Sequence, residues 1–211
     1  ILAGGAARQP RGVRAMAGRM NPVASPRLPA DADAASVPRA AARHCRANGI
    51  DLACEWFGAD DAPPLLLIHG LGCQMIAWDD AFCIRLAQRG FRVIRFDNRD
   101  IGQSTWLPQL GVPDIAALLT AVMKGAPVAA PYLLRDMAAD TAGLLDALGI
   151  ERAHVVGVSM GGAIAQELAI GWPARVRTLT SIMSGTGEPG LPPPTPAAFG
   201  LLMRPAPVER E

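Results

Sequence analysis

The chain has 211 residues, half of them hydrophobic, so it can bury one sizeable core and is expected to form one globular domain. Its formal net charge of +1 argues against nucleic acid or an anionic membrane as the main partner. No apolar run approaches the roughly 18 residues that a membrane-spanning helix needs, so we expect no membrane association.

The amino-terminal range 1–42 is predicted to be a disordered leader, because it is rich in Pro, Gly and Ala and lacks periodicity. It has no apolar segment typical of a secretory signal, although a transit peptide remains open. The cysteines show no C-x-x-C spacing and are predicted to be free thiols in a reducing, cytoplasmic compartment. Two of them, Cys45 and Cys54, flank one hairpin, where they would approach each other or be buried as small hydrophobic side chains.

Strands and helices alternate along 43–185, which we expect to form the core. Asn48-Gly49 is a strong hairpin signal within 43–57. Short apolar runs then predict strands at 64–68, 92–96, 154–158 and 176–183. Helical spacing predicts three inward faces: Trp78, Phe82 and Leu86; Met137, Thr141, Leu144, Leu145 and Leu148; and Met160, Ile164 and Leu168. A short helix is predicted at 115–123, and the proline-rich range 186–211 is expected to be a linker or the start of a cap.

This alternation predicts an α/β fold with a mostly parallel sheet and helices on both faces. Ligands of such sheets bind beyond the carboxyl ends of the strands. Three distinctive turns lie at those ends, at 69–72, 97–104 and 157–161. They are therefore expected to meet at one rim of the sheet.

The third turn, Gly157-Val158-Ser159-Met160-Gly161, has the G-x-S-x-G spacing of a nucleophile elbow. So short a motif also arises by chance, and its position between an apolar run and an apolar-periodic helix supports the interpretation. The alternative is a glycine-rich turn with an ordinary solvent-facing serine.

Together, the segments 69–72, 96–104, 132–149 and 157–162 resemble the serine-type α/β-hydrolase superfamily in order and spacing. The Asn-Arg-Asp-x-Gly-x-Ser form of the second segment is similar to the branch that contains aclacinomycin methylesterase. The resemblance covers roughly 43–185 and implies an α/β-hydrolase fold that is incomplete at its carboxyl-terminal end. It also implies hydrolysis of a small-molecule ester or related acyl substrate through an acyl-enzyme, without a metal or organic cofactor.

The resemblance assigns roles to three residues. Ser159 would attack the acyl carbonyl, and the backbone N–H groups of Leu71 and Met160 would donate to the oxyanion. A helix amino terminus presents free N–H groups and positive partial charge, which suits Met160. The range 97–104 is interpreted as structural bracing, with Asp100 where many relatives have Gly.

The base that Ser159 requires is not evident among the three histidines. Along an extended strand His154 would lie about 16 Å from Ser159, at the opposite edge of the sheet. His69 belongs to the oxyanion turn, and His44 is expected to lie in the opening hairpin, far from the rim. The family places the acid and the histidine after the serine, and Glu188, in a Gly-Pro loop, is disfavoured as the acid. We therefore expect an incomplete chain with weak or no activity.

Other classes remain open. A binding protein could use the same fold without turnover, and haloperoxidase-like, carbon–carbon bond hydrolase and acyltransferase chemistries also use a serine. Dehalogenases and epoxide hydrolases use a carboxylate nucleophile, which Ser159 does not match. A dinucleotide-binding protein is disfavoured because the glycines lack the G-x-G-x-x-G spacing.

Overall fold

The computed structural model describes residues 36–111, 130–187, 195–197 and 200, and six strands in this part form one sheet. The sheet order is β1-β2-β4-β3-β5-β6. The first two strands run antiparallel to their neighbours, and the other four are parallel to one another. The strands are β1 (Arg39–Ala47), β2 (Ile50–Phe57), β3 (Pro64–Ile68), β4 (Arg92–Phe96), β5 (Ala153–Val158) and β6 (Val176–Ile182). The predicted α/β fold with a mostly parallel sheet is confirmed.

Three α-helices cover the sheet: α1 (Asp80–Ala87), α2 (Leu134–Ala147) and α3 (Met160–Gly171). Short 3-10 turns occupy Met75–Ala77, Pro108–Leu110 and Pro173–Arg175. Because strand residues point alternately to opposite faces, β3 contributes to two separate cores. Leu66 packs in the core with α2 and α3, whereas Leu65 packs in the core with Cys83 of α1. Helices therefore lie on both faces, as predicted.

The strand β1 corrects one predicted boundary. It begins at Arg39, inside the range 1–42 that was predicted as leader. The Arg39 guanidinium pairs with Glu55 at 2.9 Å and with Asp80 at 2.8 Å. These contacts join residues distant in sequence, so no local alternation reveals where the strand begins. Residues 1–35 of the predicted leader lie outside the described residues.

The helix α1 corrects a predicted face. Trp78 precedes the helix, Phe82 is 42% exposed, and the buried residue is Cys83. The carboxylate of Asp79 accepts a hydrogen bond from the Ala81 N–H at 2.8 Å and caps the helix there. The helix starts after Trp78 and turns Cys83 toward the sheet.

The other predicted elements divide into those the structure shows and those it does not describe. The hairpin, the later strands and helices α2 and α3 lie within a few residues of their predicted positions. The helix predicted at 115–123 and most of 186–211 fall outside the described residues. Within the described part of the chain, no helix has the length and apolarity required to cross a membrane.

Candidate active site

The backbone of Ser159 has the conformation of a nucleophile elbow. Its φ of +55° lies in the left-handed region, which a residue other than glycine occupies only when the surroundings impose it. The residue joins β5 to α3, and its N–H donates to the Ile182 carbonyl of the neighbouring strand at 2.8 Å. Ser159 is exposed at the carboxyl end of the parallel strands.

Glycines allow the backbones around Ser159 to approach closely. A β-carbon at Gly157 would overlap the carbonyl oxygen of Gly161, and one at Gly161 would overlap that of Ile68. A β-carbon at Gly70 would lie 3.1 Å from the β-carbon of Ser159. The glycines of the motif thus hold helix α3 against β3 and β5, and the turn that follows β3 lies directly beside Ser159.

The His69-Gly70-Leu71 turn is fixed by two hydrogen bonds. The Gly70 N–H donates to His69 Nδ1 at 2.8 Å, and Asn98 Nδ2 donates to the His69 carbonyl at 3.2 Å. The next residue, Leu71, is 62% exposed, and its N–H has no acceptor within the described part of the chain. The turn is therefore rigid at His69 and Gly70 and leaves the Leu71 donor unused.

Asp97 braces the loops around the site. Its buried carboxylate accepts from the Met75 N–H at 2.6 Å and from the Gln103 N–H at 2.9 Å. The Ser104 hydroxyl donates to the Asp97 carbonyl at 2.6 Å. These bonds tie together the segments that follow β3 and β4, as the bracing interpretation of 97–104 predicts.

A buried ion pair connects this brace to helix α2. The Arg99 guanidinium donates to both oxygens of Asp140, at 2.6 and 2.7 Å. The Asn48 side chain donates to Asp140 at 2.8 Å, and Arg99 stacks 4.8 Å from the centre of the Tyr132 ring. The hydrogen bonds to Asp140 raise the pKa of Arg99 above its ordinary value. A permanently charged, doubly bonded guanidinium thus joins the hairpin, the turn and α2.

Asp100, at a position where the family resemblance implies glycine, adopts the left-handed conformation, with a φ of +62°. Asp tolerates this region better than most residues, and the Asp100 carboxylate accepts from the Leu107 N–H at 2.6 Å. Burial, together with a hydrogen bond to Asp100, raises the pKa of Tyr132 to about 12. The substitution is therefore accommodated without loss of the turn.

The three histidines are engaged elsewhere, with one correction to their predicted places. His154 Nδ1 lies 2.8 Å from the Thr178 hydroxyl near the amino-terminal end of β5. His44 is not far from the rim, because its Nε2 lies 2.9 Å from the Gln103 carbonyl in the bracing turn. Strands β1 and β5 are nevertheless four positions apart in the sheet, about 19 Å at the usual strand spacing. Burial lowers the pKa of His69, which favours its neutral form.

No histidine is hydrogen-bonded to Ser159 within the described residues, and Glu188 lies outside them. The described part of the chain also lacks a cluster of three or more His, Cys, Asp or Glu side chains that could hold a metal ion. What it brings together is an exposed serine hydroxyl, a strained elbow, a helix amino terminus and the turn that carries Leu71.

Two residues near the site were not identified from the sequence. Asn98 fixes the His69 carbonyl, and its position inside the bracing motif gave only a general signal. Met183 follows the carbonyl that holds Ser159, is 81% exposed and has a φ of +51°. Methionine has no turn preference, so no sequence pattern marks it.

Comparison with known proteins identifies the family to which the chain belongs. A family model for the alpha/beta hydrolase fold matches residues 63–207. The chain is 34% identical to rhodomycin D methylesterase DauP of Streptomyces sp. (strain C5), covering 73% of this chain and 51% of that protein. It is 33% identical to rhodomycin D methylesterase DnrP of Streptomyces peucetius, covering 77% and 55%.

A hydrolase of known structure from Pseudomonas aeruginosa PA01 superposes with a TM-score of 0.51 at 32% identity, covering 65% of this chain and 44% of that one. The chain spans about half the length of the curated relatives it matches. The methylesterase relatives confirm the predicted resemblance to the methylesterase branch. By the family match, the fold and the elbow, this chain belongs to the α/β hydrolase family.

Proposed function

We propose that Ser159 is the nucleophile of a carboxylic-ester hydrolase that acts through an acyl-enzyme. The observation that carries this proposal is the left-handed backbone of Ser159, fixed by Ile182 and exposed at the sheet rim. Strain of this kind is maintained where it positions a reactive group. An exposed hydroxyl at a helix start can meet an acyl carbonyl from solvent and form an ester with it.

The backbone N–H groups of Leu71 and Met160 are assigned to the oxyanion. The hydrogen bonds of the turn support this assignment. The Gly70 N–H donates to His69, whereas the Leu71 N–H has no acceptor in the described part of the chain. Met160 is the first residue of α3, so its N–H has no acceptor within the helix. One such donor aimed at a developing oxyanion contributes about 2.7–4 kcal/mol.

The substrate class is proposed to be small-molecule esters. Two relatives are named methylesterases, which supports a carboxylic ester over other acyl groups. Carbon–carbon bond hydrolysis, haloperoxidase-like chemistry and acyl transfer would use the same Ser159 and differ in the groups that surround the substrate.

The proton acceptor is proposed to lie outside His44, His69 and His154. Each of these side chains is committed to another partner or lies across the sheet. The same observation favours a second candidate, a binding protein that uses the same fold without turnover. Whether Ser159 reacts with an acyl donor separates the two.

Acyl transfer to Ser159 can be measured directly. The purified chain is incubated with p-nitrophenyl acetate, quenched in acid and digested with trypsin. The tryptic peptide 153–175 contains Ser159 as its single hydroxyl residue, so an acetyl group stable to mild base maps to it. We expect acetylation of this peptide, its loss in Ser159→Ala, and slower acetylation of peptide 178–210, which carries Ser181 and Ser184. Equal rates for the two peptides would favour the binding protein.

A further inference from the structure

Two thiols face each other across the opening hairpin. Cys45 of β1 pairs with Leu52, and Cys54 of β2 pairs with Arg43, so the cysteines are diagonal neighbours on one face of the antiparallel pair. Their Sγ atoms are 3.5 Å apart. Both residues are buried, with 7% of Cys45 and none of Cys54 exposed.

We propose that Cys45 and Cys54 form an oxidation site, which a low-molecular-weight disulfide converts into a cross-strand disulfide. An S–S bond is about 2.05 Å long, so the sulfurs need to approach by about 1.5 Å, a distance that small rotations about the Cα–Cβ bonds supply. The register is held by the Asn48-Gly49 turn, and Asn48 is itself bonded to Asp140 at 2.8 Å. The proposal does not depend on the chemistry at Ser159.

The order of reaction follows from access and charge. Cys45 lies on the edge strand β1, so local opening exposes it first. Burial raises the pKa of the Cys54 thiol to about 12, and the nearby Arg43 guanidinium opposes that shift. Cys45 is therefore the attacking thiol and Cys54 the resolving thiol.

The exchange is balanced with a disulfide as the electron acceptor. The Cys45 thiolate attacks one sulfur of the oxidant, whose S–S bond breaks and releases one thiolate. Cys54 then loses its proton and attacks Cys45 Sγ, which displaces the second thiolate. The protein loses two protons and two electrons, and the oxidant leaves as two thiols.

The cross-link would stiffen the strand on which the bracing turn is anchored. Next to Cys54, the Ala53 N–H donates to the Ser104 hydroxyl at 2.9 Å, and the Ala53 carbonyl accepts from the Asp97 N–H at 3.0 Å. Closing the loop between the cysteines also restricts the unfolded chain. We expect the thermal midpoint to rise by about 4 °C or more on oxidation.

The chain contains matched controls for this proposal. Cys83 is also fully buried, and burial raises its pKa to about 11, but its sulfur faces the Trp78 carbonyl at 3.8 Å. Cys73 and Cys83 are separated by almost the same number of residues as Cys45 and Cys54. The entropic cost of loop closure, which depends on loop length, is therefore almost the same for the two pairs of cysteines.

The test is oxidation of the folded full chain with oxidised glutathione, followed by acid quench, alkylation and tryptic mapping. Trypsin cleaves after Arg46 and separates peptide 44–46 from peptide 47–85. We expect these peptides to be linked, with the loss of two hydrogen atoms in mass. Cys45→Ala or Cys54→Ala should abolish the link, and Cys83→Ala should leave it unchanged.

A second experiment removes the limit that burial of the thiols places on their access to the oxidant. The oxidation is repeated in urea below the unfolding transition, where local opening is frequent and the native state predominates. The Cys45–Cys54 link should exceed the Cys73–Cys83 link about tenfold or more, because only native geometry distinguishes them. Equal yields of the two links, or oxidation that stops at a mixed disulfide with glutathione, would overturn the proposal.

Discussion

The backbone N–H of Gly70 donates to Nδ1 of the preceding His69 at 2.8 Å. An acceptor Nδ1 places the single ring proton of the neutral imidazole on Nε2. The ring also packs against Trp78, with centroids 5.1 Å apart. His69 thus shapes the turn beside Ser159 as a neutral hydrogen-bond acceptor, and this gives its protonation a structural consequence.

Acidification should destabilise the protein through His69. Burial lowers the pKa of His69 in the folded state below its ordinary 6.5, so the unfolded state binds the proton more readily. The stabilising contribution is therefore complete above pH 6.5 and is lost as the pH falls through the folded pKa. The urea midpoint, measured across this range, should fall with decreasing pH.

The variant His69→Gln should flatten this dependence, because glutamine does not titrate. Ser159→Ala keeps His69 and Gly70 in place and should retain the wild-type slope. A His69→Gln variant with the same slope as wild type would show that other groups cause it.

Asn98→Leu should loosen the turn that carries Leu71. The substitution keeps the branched shape of the side chain but removes the donor to the His69 carbonyl, at a cost of about 1 kcal/mol for a buried bond. Hydrogen exchange of the Gly70 amide, which is bonded to His69, reports the change directly. We expect exchange to accelerate about fivefold, the equivalent of that energy.

Ser104→Ala is the matched control for Asn98→Leu. It removes two buried hydrogen bonds from the same bracing turn but none to the His69-Gly70 turn. It should lower global stability at least as much while leaving the Gly70 exchange closer to wild type. Equal effects of the two variants on Gly70 would mean that Asn98 acts only through overall stability.

Gly161→Ala should prevent the elbow from forming. Its β-carbon would overlap the Ile68 carbonyl, which is rigid backbone, and we expect a loss of about 3 kcal/mol or more in the free energy of unfolding. At the other end of the same helix, a β-carbon at Gly171 meets no atom within 4 Å. Gly171→Ala should therefore change stability by less than about 1 kcal/mol. Chemical denaturation of both variants measures the difference.

The sequence predicted most accurately the elements that are determined by burial of apolar side chains. The run 64–68 became β3 at its predicted limits, because helices cover both faces and every position selects an apolar side chain. The elbow was equally predictable from the sequence, because its glycines and its strand–helix context are local. Both features leave a local signal in the sequence, a run of apolar residues in one case and the spacing of glycines in the other.

Contacts between distant segments were not predictable in the same way. The position of His44 beside Gln103 joins residues 59 apart in sequence and follows from sheet pairing. The Asn98 bond to His69 and the start of β1 at Arg39 likewise depend on partners in other elements. The inward face of helix α1 was predicted wrongly because a helix of eight residues has too few turns to define a face from its sequence.

The final prediction concerns activity. The 211-residue chain should hydrolyse p-nitrophenyl esters barely faster than buffer, because none of its histidines is hydrogen-bonded to Ser159 within the described residues. Without a base, the oxyanion donors and binding supply at most about 10³–10⁴-fold over water. His154→Ala should leave this rate unchanged, since that side chain bonds to Thr178.

Imidazole added as an external base should increase the part of the rate that depends on Ser159, obtained as the difference between wild type and Ser159→Ala at each concentration. A longer polypeptide that carries this chain together with an acid and a histidine after it should turn over the same esters, and Ser159→Ala should abolish that turnover. Rapid turnover by the 211-residue chain that His154→Ala removes would place the base at His154 and require β5 to be arranged differently from the strand described here.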